Sequence, residues 1–231
     1  MKPNIIVILT DQQRADTLGC YGNSTVRTPN LDALAEDGVC FERTYCSTPL
    51  CTPARVSIQT GAYPHRHGIV DLWSEIPNEQ TGPVPGWHHP LEDVMPWLGH
   101  YFRDGGYETA YIGKWHCMTG SDRRGFEDYL IRIGSYDTDV GAEDQNDWLR
   151  YSLAQGYEMS KGKQNGADYK LKDLNYGVSL YSERDFPATY AFRKAVDFIH
   201  QEHEKPFILF LSETSPHQPF APPEPYDEMY D

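Results

Sequence analysis

The sequence predicts an α/β fold with a largely parallel central sheet and helices on both faces, and three observations support this. Short apolar runs of strand length recur at residues 4–9, 107–112 and 206–211. Segments with helical spacing lie between them, and a polar cluster follows each run. Open parallel sheets keep their ligands at the carboxyl ends of the strands, so these clusters are where function is sought.

The first run, Asn4-Ile5-Ile6-Val7-Ile8-Leu9, is rich in β-branched residues and reads as a central strand buried on both faces. It delivers Asp11, Gln12 and Gln13 to its carboxyl end. Thr28 is expected to cap a helix with Pro29 in its first turn, Leu31, Leu34 and Ala35 on one face, and Gly38 as its stop. Residues 39–45 read as a second strand. Another helix is expected from Thr52 or Pro53 to Thr60 with Gly61 just past its end, which places Cys51 at a helix N-terminus.

After a Pro/Gly/Trp loop at 77–90, Leu91, Val94, Met95, Leu98 and Phe102 follow helical spacing as far as Gly105-Gly106, with Pro96 as a kink. The strand at 107–112 then delivers Gly113-Lys114-Trp115-His116. Residues at about 120–185 are rich in Asp, Gly, Tyr and Ser without periodicity, and read as a loop-rich insertion in a single unit spanning 1–231. A helix from about Ala188 to His203, with Phe192, Ala195, Val196 and Ile199 on one face, leads into the last strand, and Ser215-Pro216-His217-Gln218-Pro219-Phe220 follows it.

The charge balance narrows the function classes. Twenty Lys and Arg face 34 Asp and Glu, for a formal charge of -14, which repels nucleic acid and anionic membrane surfaces. There is no run of about 18 apolar residues and no room for a secretory leader before the first strand, so a soluble cytoplasmic protein is expected. The five cysteines (20, 40, 46, 51 and 117) are odd in number and widely spaced, with no CxxC pair, so they form no disulfide framework.

Taken singly, each polar candidate has an ordinary structural reading. Their coincidence is the signal: Asp11, Lys114, His116 and His217 all fall just past strand ends, and Cys51 opens a helix that can face the same edge. Unpaired N–H groups at a helix start lower a thiol pKa and attract an oxyanion. Arg55, one turn after Cys51, projects on the same face and can hold an anion or the nucleophile. Oxygens of Asp11 and Gln12 are hard donors suited to Ca2+ or Mg2+. Lys114 and His116 can stabilise charge and donate protons. The chemistry this suggests is attack on an anionic ester.

Pro49-Leu50-Cys51-Thr52-Pro53-Ala54-Arg55, followed by Thr60-Gly61, resembles the sulfatase signature Cys-x-Pro-x-Arg. Five further blocks, at residues 11–22, 28–35, 60–68, 106–116 and 215–220, resemble sulfatase blocks in their usual order. The resemblance implies an alkaline-phosphatase/sulfatase-like fold and a hydrolase acting on a small sulfated sugar or aryl sulfate. It implies that Cys51 is oxidised to formylglycine by a separate formylglycine-generating maturation enzyme. One hydroxyl of the hydrated aldehyde would attack sulfur and the other would later expel sulfate. Lys114 and His217 would bind the sulfate group or assist the leaving alcohol, His116 would be the base, and Arg55 would steady the aldehyde hydrate. Asp11, Gln12 and residue 51 would be metal ligands, for Ca2+ or Mg2+.

Two departures qualify what the resemblance implies. Gln12 stands where many sulfatases carry Asp, as in phosphonate and phosphodiester hydrolases of the same superfamily, whereas the Gly-Lys-Trp-His block favours sulfate esters. Sulfatases are also generally about twice this length, and the remaining metal ligands and the small C-terminal subdomain are expected outside these 231 residues. Ca2+ takes about 6–8 oxygens, so Asp11, Gln12 and residue 51 leave it under-coordinated. A catalytically silent anion-binding fragment is the alternative from outside the enzyme class. His65 and His67 read as turn residues, Trp115 as packing, and Cys20, Cys40, Cys46 and Cys117 as ordinary reduced thiols. His88 and His89 are weak substrate-contact candidates.

Overall fold

The computed structural model describes residues 2–71, 95–117, 124–133, 146–157, 169–171 and 176–230. In chain order its elements are β1 (Ile5–Leu9), α1 (Pro29–Asp37), α2 (Cys51–Thr60), α3 (Pro64–His67), α4 (Leu98–Asp104), β2 (Glu108–Gly113), β3 (Tyr129–Arg132), α5 (Asp147–Ala154), β4 (Tyr169–Leu171), β5 (Gly177–Ser179), α6 (Pro187–Ile199) and β6 (Phe207–Ser212). β1, β6, β2 and β3 form one sheet in that order, and every pairing in it is parallel. The carboxyl ends of all four strands therefore meet at one edge. Among the described residues, no helix is long and apolar enough to cross a membrane.

Period-two alternation splits the core into two layers. Phe207, Leu209 and Leu211 of β6, with Ala110 and Ile112 of β2, face Tyr190, Ala191, Ala195 and Phe198 of α6 and Trp148 of α5. Ile208 and Phe210 face the other way, with Tyr111 and Phe126 and with Leu98 and Phe102 of α4. There the Tyr111 and Phe210 rings stack at 5.2 Å. Helices on both faces explain why β6 is buried throughout and β2 from Thr109 onward.

Several sequence expectations are corrected. β1 is an edge strand of the described sheet and not a central one: Ile5, Val7 and Leu9 pack inward, while Ile6 and Ile8 remain about half exposed, at 48% and 51%. Residues 39–45 form no strand; Val39, Phe41 and Tyr45 are exposed, and apolar content makes a strand only where a ladder partner exists. Thr28 precedes α1, but its hydroxyl accepts the Gly19 N–H and donates to Asp32 in place of a helix amide. α4 begins after Pro96, so the proline lies upstream of the helix and does not kink it. Leu91 and Val94 lie outside the described residues.

The stretch at 120–185 also holds more order than its composition suggests. It supplies β3, the fourth strand of the sheet, as well as α5 and the antiparallel β4–β5 pair. Asn146 caps α5 by accepting the Leu149 N–H, and Asp147 accepts the Arg132 N–H at the end of β3. Periodicity missed these elements because they are short: α5 has 8 residues and β3 has 4.

Gly113, the last residue of β2, holds a left-handed φ of 108°, and a Cβ there would lie 2.0 Å from the Ser212 carbonyl oxygen. This close approach lets the Lys114 N–H reach the same oxygen at 2.9 Å. Gly113→Ala is expected to destabilise the fold by about 2–4 kcal/mol through backbone strain and clash. Urea unfolding checks this, and a midpoint equal to wild type would show that the strand ends can separate freely.

Candidate functional site

α2 starts at Cys51 because Leu50 is extended and Pro53 suits the first turn, and it stops at Gly61, whose left-handed backbone lets its N–H reach the Ser57 carbonyl. The register carries Arg55 one turn inward, where it is 5% exposed. Its guanidinium reaches the ends of three strands. Nη2 donates to Asp11 Oδ2 at 3.1 Å, just past β1; Nη1 donates to Ser212 Oγ at 2.5 Å, at the end of β6, and to the Lys114 carbonyl at 3.2 Å, just past β2. The Lys114 carbonyl also accepts the Ser212 and Tyr111 hydroxyls at 2.7 and 2.6 Å.

Asp11 Oδ2 is shared, since the buried Lys114 Nζ donates to it at 2.8 Å. Burial alone would raise the Asp11 pKa, but Lys114 and Arg55 outweigh it and hold the carboxyl below its ordinary value. The structure thus joins Asp11, Arg55 and Lys114 directly. Cys51 is half-buried within electrostatic reach of all three. Its thiol differs from expectation. Burial and the Asp11 charge push its pKa up despite Lys114, the Thr52 N–H and Arg55 pulling it down, so a helix start does not activate this thiol. Beyond the expected role toward an anion or residue 51, Arg55 also binds structure: its bonds go to Asp11, Ser212 and the Lys114 carbonyl.

The other predicted residues surround this centre. His116 is buried and holds a left-handed φ of 47°. His217 lies in the loop after β6, which is tied to the Asp11 loop by the Asp11 N–H on the Ser215 carbonyl at 3.3 Å. Its Nδ1 faces the Gln218 carbonyl at 2.7 Å and so carries the proton of the neutral ring, leaving Nε2 as the proton acceptor. Gln12 is exposed with a left-handed φ of 57°. His88 and His89 lie outside the described residues.

As oxygen donors for a divalent cation, the described residues offer Asp11 and Gln12 beside residue 51. They do not fit such an ion by themselves: Asp11 Oδ2 already holds two cations, and no three of His, Cys, Asp or Glu cluster among the described residues.

Sequence reasoning overlooked Tyr111, Ser212 and Glu213. Ser212-Glu213 closes the last apolar run just as Gly113-Lys114 closes an earlier one, and the same rule would have found it. The turn residues behave as expected: His65 stacks on Tyr63 at 5.9 Å, and His67 is buried. His67 Nδ1 accepts the Ile69 N–H at 3.1 Å, so the neutral ring carries its proton on Nε2 and donates to Ser57 Oγ at 2.9 Å. That polarity cannot activate Ser57 as a nucleophile. Trp115 packs against Trp97 and Tyr111.

A family model described as Sulfatase matches residues 3–231. An uncharacterized sulfatase of Escherichia coli (strain K12) is 31% identical over 235 residues, covering 99% of this chain and 41% of that protein. An arylsulfatase of Clostridium perfringens is 30% identical over 250 residues, covering 100% of this chain and 46% of that protein. The chain thus spans less than half the length of these relatives. Among solved structures, a phosphonate monoester hydrolase of Agrobacterium radiobacter superposes with a TM-score of 0.70 at 24% identity, covering 100% of this chain and 44% of that one, a likeness of fold alone.

Two outcomes follow from the site. Arg55→Lys keeps the charge but cannot span Asp11, Ser212 and the Lys114 carbonyl together, and is expected to lower stability by about 2–4 kcal/mol in urea titration; wild-type stability would refute the three-strand tie. Burial lowers the His67 pKa below 6.5, so the unfolded chain binds the proton first. The stability His67 contributes is then full above 6.5 and lost as pH falls below it. His67→Gln should flatten this acid-side slope in urea unfolding at about pH 7.5 and about pH 5.5; an unchanged slope would assign it elsewhere.

Proposed function

Because this chain belongs to the sulfatase family, we propose that it is the nucleophile-bearing part of a sulfuric ester hydrolase, with residue 51 acting in the formylglycine form. The observation that carries this reading is Cys51 at the start of α2 beside Lys114 and Arg55, with its thiol pKa pushed up by burial. Two buried cations beside residue 51 suit an anionic ester, yet the thiol there is poorly ionised at neutral pH. A formylglycine would supply a hydrated aldehyde with two hydroxyls, one to attack and one to release the bound group.

The chain's own residues have distinct tasks in this reading. Lys114 offers a buried ammonium to the oxygens of the sulfate group, where low dielectric strengthens the attraction. Arg55 holds β1, β2 and β6 at fixed separation, so that Lys114 and Asp11 stay beside residue 51. His217, oriented through Nδ1 by the Gln218 carbonyl, accepts the proton of the attacking hydroxyl at Nε2 and passes it to the leaving oxygen. His116, buried beside the same strand end, takes up the proton when the sulfate is released. The substrate class is a small organic sulfate, an aryl or sugar ester.

A second reading has its own support in the exposed Gln12 and in the fold shared with a phosphonate monoester hydrolase. Peptide mass mapping of residue 51, after co-expression with a formylglycine-generating enzyme, should show the lighter aldehyde. The full protein should then hydrolyse 4-nitrophenyl sulfate in preference to the matched phenylphosphonate ester, and Cys51→Ala should reduce turnover about 10³-fold or more. An intact thiol in a competent host would point to a silent anion-binding chain, and a preference for the phosphonate would select the second reading.

A further inference from the structure

Glu213 is the buried carboxylate that the catalytic reading leaves unused. It follows β6 directly and is 5% exposed, although both flanking residues, Ser212 and Thr214, are polar. The loop from 213 to 217 leads to His217, and its backbone donors can be followed one by one. The Glu213 N–H donates to the Leu9 carbonyl at 2.7 Å, extending the β1–β6 ladder past the strand. The next two, on Thr214 and Ser215, both donate to Glu213 Oε1, at 2.8 and 3.1 Å. Residue 216 is proline and has none, and the His217 N–H closes a turn onto the Thr214 carbonyl at 3.0 Å. The Ser215 carbonyl in turn accepts the Asp11 N–H.

Two of the four amides that shape this loop therefore rest on one side-chain oxygen. We infer that Glu213 is a positioning residue, its Oε1 clamping the Thr214 and Ser215 amides so that His217 is held at the strand edge and the Asp11 loop stays attached. The inference rests on the catalytic reading above for its effect on turnover, but not for its effect on the loop. What matters is an acceptor oxygen at that point. A glutamine supplies one, whereas an alanine leaves two part-buried N–H groups without it.

The experiment compares wild type, Glu213→Gln and Glu213→Ala in the full, matured protein by two readouts. Hydrogen exchange of the 213–218 peptide should accelerate in Glu213→Ala and stay near wild type in Glu213→Gln. On 4-nitrophenyl sulfate, Glu213→Ala should lose about 10–100-fold in kcat with KM within about threefold, as for a displaced catalytic group, and Glu213→Gln should recover most of the loss. Unchanged exchange in Glu213→Ala, or wild-type kcat with a loosened loop, would overturn the inference. So would a glutamine variant as impaired as the alanine one, since charge would then matter and not the clamp. Should Glu213→Ala fail to fold, a Glu213→Gln loop that exchanges faster than wild type overturns it, and one that is unchanged supports it. If wild type turns over neither sulfate nor phosphonate ester, the catalytic reading has failed, and exchange alone decides the clamp.

Discussion

The guanidinium of Arg55 carries the geometry of this edge. A parallel sheet brings its carboxyl ends together, and a buried cation with several directed donors can bond to groups from several of them at once. By bonding to Asp11, Ser212 and the Lys114 carbonyl, Arg55 turns three chain segments that are remote in sequence into one rigid rim. The burial of such a group is tolerable because Asp11 lies against it and Lys114 closes the other side of that carboxylate.

Electrostatics at the rim then follows from the packing. The aromatic layer of Tyr111, Phe126 and Phe210 lies beneath it, excluding water and pushing the Tyr111 phenol, like the Cys51 thiol, away from ionisation. The same dry surroundings that suppress a thiolate strengthen Lys114 as a partner for an incoming anion. A site of this kind suits a neutral oxygen nucleophile and an anionic substrate better than a thiolate.

A third level of organisation lies in the loops that follow the strands. The Asp11 loop and the His217 loop are bonded to each other through backbone groups, and Glu213 anchors the second of them from its own base. The segment after His217 also receives β5, through the Gly177 and Ser179 amides on the Phe220 and Pro222 carbonyls. The stretch at 120–185 thus contributes a strand that lines up beside the segment following the His217 loop, besides adding an edge to the main sheet.

The strands at 4–9, 107–112 and 206–211, the helices α1, α2 and α6, and the candidates Asp11, Cys51, Arg55, Lys114, His116 and His217 were legible in the sequence. Each rests on a local signal: an apolar run, a proline at a helix start, a glycine stop or a polar cluster past a strand. Strand order was not local. Whether β1 is central or at an edge depends on which strand pairs with it, and residues 39–45 had strand-like content without a ladder partner among the described residues. α5 and β3 escaped notice because both are too short for a periodic pattern to stand out, and β3 is fixed by its pairing with β2. The sequence by itself determined the parallel α/β plan and the chemistry available at its edge. Only the tertiary structure decided that Arg55 braces three strand ends and that the Cys51 thiol is suppressed, because burial and long-range hydrogen bonding depend on contacts between residues far apart in the chain.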